Sequence, residues 1–227
     1  VCTGMFAAWG IMSALFARER TGKGRYLDVA MLDSMYSMML TVAAMQLYTD
    51  KPPGRVGSRH PVTYPVDVFE TLDGHIVMVV TTDRTFGKLC GVIGRPEVAN
   101  DPKYRTNADR NTNEVELKAA IEEWTSGQSS DAAVSALGEA GIPAGPVLSV
   151  GEVTESDHIS HREMVTHVDH PSLGKVPLVH QPVQFSDADR EFQRPPPLLG
   201  EHTRELLASL LGLSEGDIEK LSDDDII

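Results

Sequence analysis

Two early stretches are so uniformly apolar that neither keeps a polar face. Residues 3–20, TGMFAAWGIMSALFARER, predict a helix with Thr3 as its N-cap and with Arg18 and Arg20 at the carboxyl end, where cations suit the helix dipole. Gly22 and Gly24 should stop it. Tyr26, Leu27 and Val29 then predict a short strand over 25–29, and a second helix follows from about Leu32 to Tyr48. A helix that is apolar on nearly every side is built to be enclosed, so this leading segment expects a covering partner.

Past residue 50 the pattern changes. Pro52, Pro53 and Gly54 break the periodicity, and the polar run to Pro65 reads as linker and loop. Residues 66–72 and 75–81 are rich in β-branched side chains and flank Asp73-Gly74, which predicts a hairpin closed by a type I′ turn. Helices are expected over 85–93, 112–126 and 130–140, the last ended by Gly141, with Pro143–Ser149 returning to the sheet. A second strand pair is expected over 164–168 and 176–185, with Ser172–Gly174 as its turn and Pro177 and Pro182 marking edge strands. Pro195, Pro196 and Pro197 form a stiff connector before helices at about 202–211 and 214–221. In the first of these, Leu206, Leu207, Leu210 and Leu211 should pack inward, with Glu201 or His202 near the cap.

With 227 residues and 41% apolar content the chain can bury a real core. A net charge of −13 opposes binding to nucleic acid or anionic lipid, both of which need clustered cations. Cys2 and Cys90 lie far apart in apolar contexts, which suits a reducing compartment, so the expectation is cytoplasmic. Val29–Tyr48 is interrupted by Asp33, Ser34, Ser37, Thr41 and Gln46, so it is expected to be a buried helix rather than a membrane span.

The loop GSRHPVTYP, Gly57–Pro65, concentrates a cation, an imidazole and a phenol in Arg59, His60 and Tyr64, and it is the main candidate for substrate contact. An ordinary interdomain linker has the same composition. His158, His161, His167 and His170 invite a metal reading, yet Asp157, Glu163 and Asp169 are interleaved among them as on a solvated surface, and no metal is expected. Glu19, Asp28 and Asp33 have structural explanations: arginine neighbours, an outward strand position and a helix start. Cys90, in KLCGVIG, lacks a basic activator and reads as a buried structural thiol. The glycines of TGKG do not follow a dinucleotide fingerprint.

Taken in order, residues 3–34, then RVGSRHPVTYPVDVFETLDG, AGIPAGPV, HPSLGKV and RPPPLLGEHTRELL resemble the family III CoA-transferases over nearly the whole chain. The resemblance implies an α/β fold, with helices of a large domain over 1–50, a linker and small α+β domain with an antiparallel sheet over 51–165, and a return to the large domain over 166–227. It implies transfer of CoA between carboxylic acids through an aspartyl-CoA thioester. No cofactor is held permanently, and a coenzyme A thioester is the substrate. By the resemblance, the aspartate nucleophile falls immediately before Val1, Thr3 and Gly4 offer backbone N–H groups beside it, and Arg59, His60 and Tyr64 lie on the substrate side. The 227 residues would then be an inactive carboxy-terminal part of the enzyme, and the expected partner is a second subunit, interlocked, or the amino-terminal half. The glycine-rich loop of formyl-CoA transferases is missing near residue 60, which argues against formyl-CoA or oxalate. Two alternatives stand beside this reading: an α-methylacyl-CoA racemase, which has the same fold, and a non-catalytic interaction domain.

Overall fold

The structure, a computed structural model, describes residues 1–50, 54–187 and 194–227. The chain divides into two compact units, Val1–Val147 and Leu148–Ile227. The Pro52–Pro53 break lies outside the described residues.

The first unit opens with helix α1, Cys2–Thr21, which packs on α2, Met31–Met38, followed by α3, Leu40–Tyr48. Gly22, at φ 67°, ends α1 in the left-handed conformation that glycine adopts without a Cβ penalty, and its N–H bonds back to the carbonyl of Arg18. Three expectations are corrected here. Thr3 is not a cap: the helix begins one residue earlier, at Cys2, with Val1 at the N-cap and no side-chain bond. Residues 25–29 are not a strand, because 23–30 have no ladder partner and Tyr26 is 90% exposed. The helix expected over 32–48 is broken at Met39, whose ψ of 29° leaves the helical range. Trp9, Met12, Phe16, Leu32 and Leu40 are all more than half exposed, so nothing among the described residues supplies the enclosure their chemistry demands.

The rest of this unit is a small α+β domain. Strands β1, Val66–Glu70, and β2, His75–Val79, pair antiparallel, and β3, Ala144–Pro146, joins the free side of β2 to give the order β1-β2-β3. The expected hairpin is present, but its turn is not type I′. That turn needs positive φ at its central residues, and neither Asp73 nor Gly74 has it. The carboxylate of Asp73 instead accepts bonds from the N–H and hydroxyl of Ser130, at 2.8 and 2.9 Å, which tie the turn to the start of a helix over Ser130–Glu139. Helices α4 (Asp83–Val92), α5 (Asn107–Thr112), α6 (Glu114–Thr125) and α7 (Ser130–Glu139) complete the domain. The helix expected over 112–126 is α6, and α5, which precedes it and carries a Thr106/Asp109 capping box, is an additional helix. Phe69, Ile76 and Met78 of the sheet pack with Phe86, Leu89, Leu117, Ile121 and Leu137 of the helices in one core.

The second unit holds α8 (Val150–Glu155), α9 (Asp157–His161), the antiparallel pair β4 (Val165–His170) and β5 (Gly174–Val179), then α10 (Thr203–Leu211) and α11 (Glu215–Asp223). Both strands are edges, which is why Pro177 is tolerated within β5. Of the four leucines of α10 expected to pack inward, only Leu207 is half-buried, and Leu206, Leu210 and Leu211 are exposed. His202 takes the N-cap position of α10 with no side-chain cap bond. Among the described residues no helix is long and apolar enough to cross a membrane.

Candidate functional site

Residues 57–67 leave little of their chain unbonded, and the bonds reach residues far along the sequence. Ser58 donates its hydroxyl to Asp67 Oδ1 at 2.6 Å. Arg59 Nε makes an ion pair with Glu114 Oε2 at 2.6 Å, and Arg59 Nη1 donates to the carbonyl of His60 at 3.1 Å. The carbonyl of Val62 accepts from the amides of Asn107 and Asn111, at 2.7 and 3.2 Å, while the N–H of Tyr64 donates to Asn107 Oδ1 at 3.0 Å. The Tyr64–Pro65 peptide is cis.

Two charged side chains, Arg110 and Asp67, are buried under this loop. Arg110 is 1% exposed, and its Nε and Nη1 donate to the carbonyls of Tyr64 and Tyr104 at 2.9 and 3.0 Å. Its Nη2 bonds Asp83 Oδ1 at 2.8 Å, and the guanidinium lies 4.6 Å from the centre of the Phe86 ring. Asp67 sits on β1 on the same side as Phe69, facing the core, and is 5% exposed. Burial works against its charge, but the bonds from Ser58, Lys118 Nζ (3.0 Å) and the Val68 N–H outweigh burial and hold the carboxyl below the usual carboxylate range.

The three loop candidates are therefore placed differently. Arg59 has its charge matched by Glu114. His60 is half-buried, and its Nδ1 accepts the N–H groups of Val62 and Thr63 at 3.3 and 3.1 Å. Tyr64 is 1% exposed and belongs to the core. Its hydroxyl is buried with no hydrogen-bond partner, and burial, with Asp67 next, pushes its ionisation above the normal tyrosine range. The phenol therefore faces away from anything arriving from solvent.

Thr3 and Gly4 lie in the first turn of α1, where the first intrahelical bond runs from the Met5 N–H to the Val1 carbonyl. The N–H groups of Thr3 and Gly4 thus have no helical carbonyl to bond. Alongside, Cys2, Met5, Phe6, Trp9 and Met38 line an apolar pocket of about 240 Å³. A shallower hollow of about 190 Å³ is bordered by Phe6, Asp28, Asp33, Ser34 and Ser37. Asp33 stands in the first turn of α2 as expected, whereas Asp28 lies on unpaired extended chain. Cys90 is buried, which pushes its thiol up to about 11 and makes it a poor nucleophile. Among the described residues no group of three or more His, Cys, Asp and Glu is arranged to hold a metal ion. His170 is buried, and its Nδ1 accepts the N–H groups of Ser172 and Leu173 at 3.2 and 3.3 Å, a structural use.

With this geometry in view, comparison with known proteins is informative. The sequence model of CoA-transferase family III matches residues 1–203. The succinyl-CoA:glutarate CoA-transferase of Mus musculus is 34% identical over 221 residues, covering 97% of this chain and 51% of that protein. The acetyl-CoA:oxalate CoA-transferase of Acetobacter aceti is 38% identical over 195 residues, covering 86% of this chain and 49% of that protein. A CAIB/BAIF family protein from Brucella suis, known from its crystal structure, superposes with a TM-score of 0.70 at 33% identity, covering 92% of this chain and 54% of that one. The chain spans about half the length of the relatives it matches.

Proposed function

This chain belongs to CoA-transferase family III, and from that membership we propose that it supplies one half of an acyl-CoA transferase that moves CoA between two carboxylic acids. The observation that carries this is the unbroken family match over residues 1–203, reinforced by relatives that share about a third of their residues across nearly the whole chain. The proposed chemistry proceeds in two balanced halves. An aspartate carboxylate attacks the donor thioester carbonyl, forming a mixed anhydride and releasing CoA thiolate. The thiolate then attacks the aspartyl carbonyl, forming aspartyl-CoA and expelling the donor acid. The acceptor carboxylate reverses these steps and leaves as its CoA thioester.

In this reading the nucleophile precedes Thr3, whose backbone N–H, with that of Gly4, favours the developing negative charge. Residues 1–50 and 166–227 belong with the large domain and 51–165 form the linker and small domain, with Arg59 and His60 on the substrate side. The exposed apolar side chains of α1 to α3 and α10 support a covering partner, either a second subunit or the amino-terminal half. The relatives are named for glutarate and oxalate, which supports a short dicarboxylate as one of the two acids here and weighs against excluding oxalate for want of the glycine-rich loop. The two free cysteines and the absence of a membrane-length helix among the described residues support a cytoplasmic setting. The experiment is CoA exchange by the complete gene product, with succinyl-CoA offered against glutarate and oxalate. Appearance of the new thioester supports the proposal, and hydrolysis without exchange, or α-proton exchange of a 2-methylacyl-CoA alone, overturns it.

A further inference from the structure

His60 is followed by Pro61, Val62 and Thr63, and its ring folds back over that turn so that Nδ1 accepts two backbone N–H groups, at 3.3 and 3.1 Å. A ring nitrogen that accepts has no proton, so the neutral imidazole must carry its hydrogen on Nε2. The same device recurs at His170-Pro171-Ser172-Leu173, where Nδ1 again accepts the N–H groups two and three residues on. The two sites differ in exposure and in partners. His170 is 7% exposed and its Nδ1 also lies 3.2 Å from the Ser172 hydroxyl, whereas His60 is only half-buried in the first unit's candidate loop.

The neighbours of His60 are already committed. Ser58 is bonded to Asp67, Arg59 is paired with Glu114, and Tyr64 is turned into the core. The loop is also fixed from below, since the His60 N–H donates to the Val66 carbonyl at 2.8 Å and α5 holds Val62 and Tyr64. A fixed ring with a fixed tautomer is a pre-organised donor, and it is not free to shuttle protons through both nitrogens. We propose that His60 binds a carboxylate oxygen of the acid substrate through Nε2–H, its Nδ1 being spent on the turn. This rests on the transferase reading for the identity of the ligand, while the tautomer follows from the turn alone.

The test uses the complete gene product labelled with ¹⁵N at histidine, with succinate as probe. The His60 resonances should show a pyridine-type Nδ1 and a pyrrole-type Nε2, and succinate should shift Nε2 and its proton. The reverse tautomer, or a His60 signal indifferent to saturating succinate, overturns the proposal without any variant being made. His60→Asn keeps an oxygen where Nδ1 sits, able to accept the Val62 and Thr63 N–H groups as an Asx turn does, but has nothing at Nε2. It should raise KM for the acid by about 10-fold or more while KM for the CoA thioester holds, the loss anticipated for one hydrogen bond to a charged group. An unchanged acid KM in His60→Asn would show that the ring only caps its turn and would overturn the proposal. If no CoA exchange occurs although succinate still moves the Nε2 signal, the transferase reading fails and the donor site stands.

Discussion

Replacing Arg110 by leucine should cost about 3 kcal/mol of small-domain stability, and the figure can be built from its contacts. The carbonyls of Tyr64 and Tyr104 lose their guanidinium donors, and a buried acceptor left unbonded costs about 1 to 3 kcal/mol. Loss of the contact with the Phe86 ring adds about 0.5 to 2 kcal/mol. The Asp83 pair adds little, because that carboxylate is 70% exposed and screened. Against these stands a gain of about 1 to 4 kcal/mol, since leucine spares the domain a desolvated cation, which leaves a net cost of about 3 kcal/mol. Arg110→Lys should fall between the two, because one ammonium cannot span both carbonyls. The assay is urea unfolding of these 227 residues followed through Trp124, which packs against the small-domain core, in a Trp9→Phe background that removes their second indole. With a slope of about 2 kcal/mol per molar, the midpoint should fall by about 1 to 2 M at unchanged slope. A fall below about 0.5 M, equivalent to about 1 kcal/mol, would refute the idea that Arg110 anchors the loop.

Four further substitutions have expected outcomes. Asp67 has a depressed folded-state pKa, so its contribution is fully present above the unfolded value near 3.8 and is lost as pH falls through the lower folded one. Asp67→Asn should therefore be less stable than the parent at pH 7, with the difference shrinking below about pH 4, as read by thermal melts across pH. Tyr64→Phe removes a buried hydroxyl that has no partner, so stability should hold or rise by up to about 1 kcal/mol and exchange activity should be unaffected. A large activity loss would show that the phenol reaches substrate. Gly141→Ala should cost about 1 to 2 kcal/mol, since φ is +72° and a Cβ would lie 3.4 Å from Lys88 Nζ. Gly138→Ala, in α7 with open space around it, should gain up to about 1 kcal/mol in the same urea titration.

Periodic and punctuated features were legible from sequence: the hairpin on either side of Asp73-Gly74, helix α7 with Gly141 behind it, and the existence of the β4–β5 pair, although its turn is 171–173 rather than 172–174 and its second strand ends at Val179, leaving Pro182 outside it. Features decided by distant partners were not. Residues 25–29 have strand composition, but a strand needs a neighbour and none pairs with them. Met39 breaks a run whose composition is helical throughout, and nothing local marks the break. At the candidate site, Arg59 and His60 stood out as a cation beside an imidazole in a proline-bounded loop, but Tyr64 looked like their equal and is core. Arg110 and Lys118 escaped notice because their partners, Tyr64 and Asp67, lie 46 and 51 residues away. Asp67 alone carried a hint: in VDVFE it shares a face with Phe69, so strict alternation places a carboxylate toward the core, where a buried cation must answer it.

A covalent aspartyl-CoA thioester should accumulate when the complete gene product is mixed with succinyl-CoA and no acceptor acid is present. Intact-mass analysis followed by peptide mapping should find CoA on an aspartate immediately before the Val1-Cys2-Thr3-Gly4 sequence, and adding glutarate should discharge it. Acceptor-dependent transfer of CoA with no enzyme-bound thioester at any turnover time, or an adduct confined to Cys90, Asp28 or Asp33, would contradict the account.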